Sequence, residues 1–227
     1  MVDLITINVV NATQSNKAFF FYLGQAQYSV SGVPGAQSLT TTTVAPSTSG
    51  GSFTLQLPFD NYAAAQKVGG GESRQSAIQQ IALSTGSSGV NDSTQMSVNP
   101  IALAPPVSNS SVPVGAFEIV VPSYNSNSQN YYVGTGLRSQ SGLVVLTSYV
   151  LATPVTSVNV TPSTSIYVAL GTYAAGQTIP SQIPSSGRCD TSVASNFNVT
   201  YNPDGTFTVR PFADTAFLSA KSVLTAF

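Results

Sequence analysis

Apolar and polar positions alternate with a period of two along much of the chain, in short runs rich in β-branched and aromatic residues and bounded by Gly, Pro, Asn and Ser. That pattern predicts strands. Ile5, Ile7 and Val9 fall on one face of a first strand that begins at Leu4, with Thr6 and Asn8 on the other. Ala18 to Leu23 is apolar on both faces. Phe53, Leu55 and Leu57 alternate with Ser52, Thr54 and Gln56, and Phe117, Ile119 and Val121 mark a strand after Pro113. Further strands are expected at Gly142 to Leu151 and Ser165 to Leu170. Near the C-terminus, Phe197, Val199 and Tyr201 lead into Asn202-Pro203-Asp204-Gly205 and then Phe207 and Val209, which reads as a β-hairpin.

One or two short helices are expected, at Asn61 to Lys67, where Asp60 can cap, and at Thr215 to Thr225, where Asp214 can cap. The polar stretches Ser31 to Gly51, Gly69 to Ser73, Ser84 to Ser93, Pro105 to Ser111 and Ser123 to Asn130 read as loops. Strands recurring with short turns, and no period of 20 to 50 residues, predict an all-β fold. The expected form is a two-sheet antiparallel sandwich, jelly-roll-like, with one or two short helices and residues 1–227 as a single domain.

Composition narrows the function. The 227 residues hold seven Lys or Arg, eight Asp or Glu, one cysteine and no histidine. Without histidine there is no Ser-His-Asp or Cys-His arrangement and no imidazole metal ligand. Cys189 lies between Arg188, which favours a thiolate, and Asp190, which opposes it, and is read as buried or incidental. No sequence feature pairs the carboxylates for glycoside chemistry, and Glu118 is expected to face outward from its strand. Gly69-Gly70-Gly71-Glu72-Ser73-Arg74 lacks the ending of a phosphate-binding loop. No catalytic residue, metal site or cofactor is therefore expected.

Seven basic residues without a cluster leave no footprint for nucleic acid. The longest apolar stretch, Leu143 to Val155, carries Thr147, Ser148 and Thr153 and is too short for a transmembrane helix. Met1 to Thr6 shows neither a basic nor an apolar signal region, so a cytoplasmic protein is expected, or an extracellular or cell-surface one if the chain is a processed form. Sequons at Asn11, Asn91, Asn109, Asn159 and Asn198 add little in a chain this rich in Asn, Ser and Thr.

A folded chain of this size exposes on the order of 10,000 Å², so its charges are spread at roughly one per 650 Å². Burying such a surface against a copy desolvates few charges, and a net charge of -1 supplies little repulsion between copies. Strand edges are usually guarded by lysines, and the chain has only Lys17, Lys67 and Lys221. The expectation is a non-catalytic structural protein that self-associates into a filament, shell or surface assembly, with Leu4, Ile5, Ile7 and Val9 on a strand able to complete a neighbour's sheet. Pairing of that strand within its own sheet is the simpler alternative.

A carbohydrate-binding alternative rests on Tyr124, Asn125, Asn127, Gln129, Asn130, Tyr131 and Tyr132, where aromatic faces would cover a sugar and amides bond its hydroxyls. The simpler reading of that loop is an Asn/Ser-rich turn with tyrosines covering the edge of the fold. A β-pore is the third alternative, from the charge-free segments Leu39 to Val44 and Ser52 to Leu57.

Overall fold

A computed structural model describes residues 4–31, 40–41, 43–49, 51–58, 60–69, 76–86, 89–138, 144–174, 176–179, 183, 185–212 and 223–225. These residues form strands and no helix. In chain order the strands are β1 (Leu4–Asn11), β2 (Ala18–Leu23), β3 (Gln27–Val30), β4 (Thr40–Thr41), β5 (Thr43–Ser49), β6 (Ser52–Pro58), β7 (Tyr62–Lys67), β8 (Ser76–Gln80), β9 (Ser93–Val98) and β10 (Ile101–Leu103). There follow β11 (Phe117–Val121), β12 (Tyr131–Arg138), β13 (Val144–Leu151), β14 (Thr156–Thr161), β15 (Ser165–Leu170), β16 (Ser186–Asp190), β17 (Asn196–Tyr201), β18 (Phe207–Pro211) and β19 (Val223–Thr225).

The all-β expectation holds, and no helix is seen among the described residues. Residues 62–67 form β7, held between β12 and β8, because the run Ala63-Ala64-Ala65 packs small side chains into a sheet. The three-alanine run, a good helix former, is overridden by tertiary pairing. Of the second expected helix, residues 223–225 are strand and pair with β6, while residues 215–222 lie outside the described residues. Strands also occupy part of the expected loop between Ser31 and Gly51, as β4 and β5.

The backbone gathers into two compact units, each made of separate segments. Unit 1 comprises Met1–Gly24, Thr42–Phe59 and Thr164–Phe227. Its five-stranded sheet I has the order β18-β17-β1-β6-β19, and its four-stranded sheet II the order β16-β15-β2-β5. Ile5, Ile7 and Val9 are buried as their alternation requires. Alternation also sorts the aromatic run of β2. Phe19 lies 5.6 Å from Phe53 and 5.9 Å from Tyr201, both on sheet I, while Phe20 and Tyr22 turn the other way to meet Tyr173 and Tyr167. The two sheets thus share a core. At Gly187 an added Cβ would sit 3.1–3.2 Å from the side chains of Val199, Phe207 and Val209, so the bare backbone lets β16 settle against β17 and β18.

Unit 2 comprises Gln25–Thr41 and Asp60–Ser163. Sheet III has the order β10-β9-β11-β14-β3, and sheet IV the order β4-β13-β12-β7-β8. Phe117, Ile119, Val158 and Val160 from sheet III join Ala63, Ala65, Tyr131, Val133 and Val150 from sheet IV in one buried cluster. A polar tie also joins these two sheets. The Tyr28 hydroxyl donates to the Ser148 carbonyl at 2.6 Å, and Ser148 Oγ accepts from the Ala26 N–H at 3.1 Å. Burial pushes the Tyr28 phenol well above its ordinary range.

Four sheets therefore replace the two that were expected, and pairing is mostly but not wholly antiparallel: β1 with β17, β9 with β11, and β6 with β19 are parallel.

Candidate functional site

The first strand sits in the middle of its sheet. β1 bonds β17 on one side and β6 on the other, from Thr6↔Asn196 to Asn11↔Tyr201 and from Leu4↔Pro58 to Val10↔Ser52. Ile5, Ile7 and Val9 enter the core, and Leu4 is exposed. In this fold β1 is paired on both sides within its own sheet. Its polar face forms a row in which Thr54 donates to Asn8 Oδ1 at 2.7 Å and Asn8 Nδ2 donates to Asn198 Oδ1 at 3.1 Å.

The Tyr124–Tyr132 segment is split by its own geometry. Asn125 builds the turn, its carbonyl accepting from Ser128 and Gln129 N–H at 3.1 and 3.0 Å and its side chain from Asn127 N–H at 3.0 Å. Tyr131 is fully buried, with its hydroxyl bonded to Gln129 and Val98. Tyr124 meets Tyr131 edge-on at 5.0 Å and donates to the Ala152 carbonyl at 2.7 Å. Tyr132 leaves on the opposite face of β12, against Tyr149 at 4.7 Å. Asn125, Asn127, Gln129 and Asn130 are exposed, but the tyrosines do not converge on them. Of the proposed pore segments, Leu39 and Thr42 lie outside the described residues, and Ser52 to Leu57 belong to β6, paired on both sides.

The most elaborate polar cluster escapes sequence reading. Asp92 is 0% exposed and accepts hydrogen bonds from Ser84 Oγ and from the Asn109 N–H, the latter at 2.9 Å. Asn109 Nδ2 then donates to Glu118 Oε2 at 2.9 Å, which also accepts from Ser93 Oγ at 2.7 Å. One asparagine therefore bridges two carboxylates and clasps the segment after β10 to sheet III. Gly89 makes room for it, since a Cβ there would fall 2.6 Å from the Asn109 backbone. Glu118 does face away from the core, as its strand position requires, and is partly covered by this segment. Nothing local in the sequence signals a bridge between residues so far apart.

A second arrangement lies on the outer face of sheet II. Tyr22 and Tyr167, directly opposite in register, stack at 5.0 Å and 9°, and Arg188 is the next residue across. Arg188 pairs with Asp190 at 3.0 Å and donates through Nε to Ser165 Oγ at 2.9 Å. The Asp190 carboxyl is held below the usual range, chiefly by the hydroxyl and N–H of Ser192 and further by Arg188. Cys189, on the other face of β16, is buried, and burial pushes its thiol up to about 12. No group of three or more Cys, Asp or Glu side chains is placed to hold a metal among the described residues, and no helix among them is long and apolar enough to cross a membrane.

The edges of the sheets differ between the units. In unit 1, β18 carries Arg210 and Pro211, β16 carries Arg188 and Asp190, and β5 contains Pro46, while the three-residue β19 carries neither a charge nor a proline. In unit 2 the edge strands β10, β3, β4 and β8 carry no Lys, Arg, Asp or Glu. Comparison with protein-family models, with curated proteins and with solved structures gives no match.

Proposed function

We propose that the protein is a non-catalytic structural subunit, built of β-sandwich units, that associates with copies of itself into a filament, shell or surface assembly. The observation that carries this reading is the absence of charged side chains from the edge strands of unit 2 among the described residues. Such edges are where sheets extend between chains, and proteins that remain apart usually guard them. Two features support it. No charged residue occurs from Ala18 to Phe59, and Val107, Val114, Val155 and Val193 are all more than half exposed. The sandwich form is supported by the Phe19–Phe53 contact in unit 1 and by the cluster shared between sheets III and IV in unit 2.

Light scattering and negative-stain microscopy of the untagged protein over a concentration series test the reading. Regular particles or filaments are expected, and a monomer at every concentration overturns it.

A carbohydrate-binding reading is favoured by one observation away from the Tyr124–Tyr132 loop. The half-buried Tyr167 has an aromatic neighbour on one side and the hydrogen-bonding Arg188–Asp190 pair on the other, a combination suited to a sugar's apolar face and its hydroxyls. Glycan-array binding lost in Tyr167→Ala would support it, and an array without any signal would exclude it.

A further inference from the structure

Unit 2 presents its four edge strands in unequal condition. β10 has three residues and is bounded by Pro100 and by Pro105-Pro106, and β4 has two, so both are blunted by brevity. β8 lies against β10 of the other sheet of its unit. Within its sheet β3 pairs with β14 alone among the described strands. In the sequence the charged residues nearest to β3 are Lys17 and Asp60.

The geometry of β3 says which groups are available. Ser31 N–H bonds the Ser157 carbonyl at 2.9 Å, and the antiparallel register runs Val30↔Val158, Ser29↔Asn159, Tyr28↔Val160 and Gln27↔Thr161. Because alternate residues of an antiparallel strand turn their N–H and C=O to opposite sides, Ser29 and Gln27 bond β14 while Tyr28 and Val30 direct theirs to the open side. The Tyr28 side chain is anchored inward on Ser148, which holds the strand in place. Gln27 and Ser29 are exposed and uncharged.

We infer that β3 is the edge through which two copies of this chain join. The partner is a second β3 in antiparallel register, Tyr28 of one copy opposite Val30 of the other, which continues sheet III across a two-fold axis. This rests on the self-association proposed above and adds the surface that performs it. An antiparallel pair of identical strands places the exposed Gln27 and Ser29 of one copy beside those of the other, and neither brings a charge that must be desolvated. The β18 edge of unit 1, by contrast, carries Arg210, whose charge such a pairing would have to accommodate, and ends in a proline that lacks an N–H donor.

The test is sedimentation velocity on the full chain and on two variants, with thermal melting to verify that each folds. Gln27→Lys/Ser29→Lys places like charges across the two-fold axis at positions open to solvent, and Thr208→Lys places one charge on the β18 edge. The expected result is association weakened at least about tenfold in the β3 variant and unchanged in Thr208→Lys. If both variants associate as the native chain does, the β3 edge is wrong and self-association stands. If the native chain itself stays monomeric, both proposals fall.

Discussion

Asp92 is a carboxylate without a basic partner among its bonded neighbours, and its two hydrogen bonds hold Ser84 and Asn109 in place. Replacing it by Ala leaves the Asn109 N–H without its acceptor and Ser84 without its bond. Asp92→Ala is therefore expected to cost about 3 kcal/mol, and Asp92→Asn less because an amide oxygen still accepts. Urea midpoints of the two variants compare them directly. Val155 is the opposite case. It is 74% exposed with a φ of 58°, a conformation that a β-branched side chain resists, and it contributes little packing. Val155→Asn is expected to raise stability by roughly 1 kcal/mol, read from the same midpoint.

Cys189 titrates late because it is buried. Between its ordinary 9.0 and about 12 the unfolded chain releases the thiol proton and the folded chain keeps it. The native state then holds more protons, so stability is level below pH 9.0 and falls as pH rises above it, by up to about 1.4 kcal/mol per unit from this group. Alkaline unfolding curves of the native chain and Cys189→Ala should differ in slope over that window. A thiol reagent should leave Cys189 untouched in the folded protein and label it in urea.

At the scale of elements, some strands were legible in the sequence because their environment is one-sided. β1, β11 and β17 each bury one face, so their alternation survives in the amino acids. The β17–β18 hairpin was legible from its turn, where Gly205 adopts a φ of 86° and Asp204 bonds the Thr206 N–H and hydroxyl. β7 was misread because alanine favours a helix and nothing local reveals that β8 and β12 flank it. β3 alternates Gln27-Tyr28-Ser29-Val30 but is only four residues long, and β16 mixes small with polar residues, so neither pattern is long enough to stand out. Gly187 in β16 records a demand that arises only when a second sheet packs close by. Gly187→Val is expected to destabilise the protein by about 1–3 kcal/mol through overpacking against Val199, Phe207 and Val209, a loss that thermal unfolding would detect.

For the whole molecule, scarcity of charge is the property with the widest reach. Association through uncharged strand edges is expected to change little from low salt to about 1 M, since there is little Coulomb energy to screen. A sedimentation series across that range measures it. Strong salt sensitivity would instead point to the few charged residues as the contact surface. The structure places the residues of both candidate sites among fixed neighbours. The Tyr124–Tyr132 segment is divided when Tyr131 enters the core, and β1 is enclosed by its two neighbours.

What the sequence determined by itself is local and compositional: a β chain without imidazole chemistry, with little charge and with a C-terminal hairpin, because periodicity, turn residues and counts need no partner to be read. The tertiary structure alone decided which strands lie at an edge, which carboxylates meet at Asn109, and how the strands divide between two units. Those features depend on contacts between residues distant in the chain, and a strand's own side chains do not say which other strand its backbone will pair with.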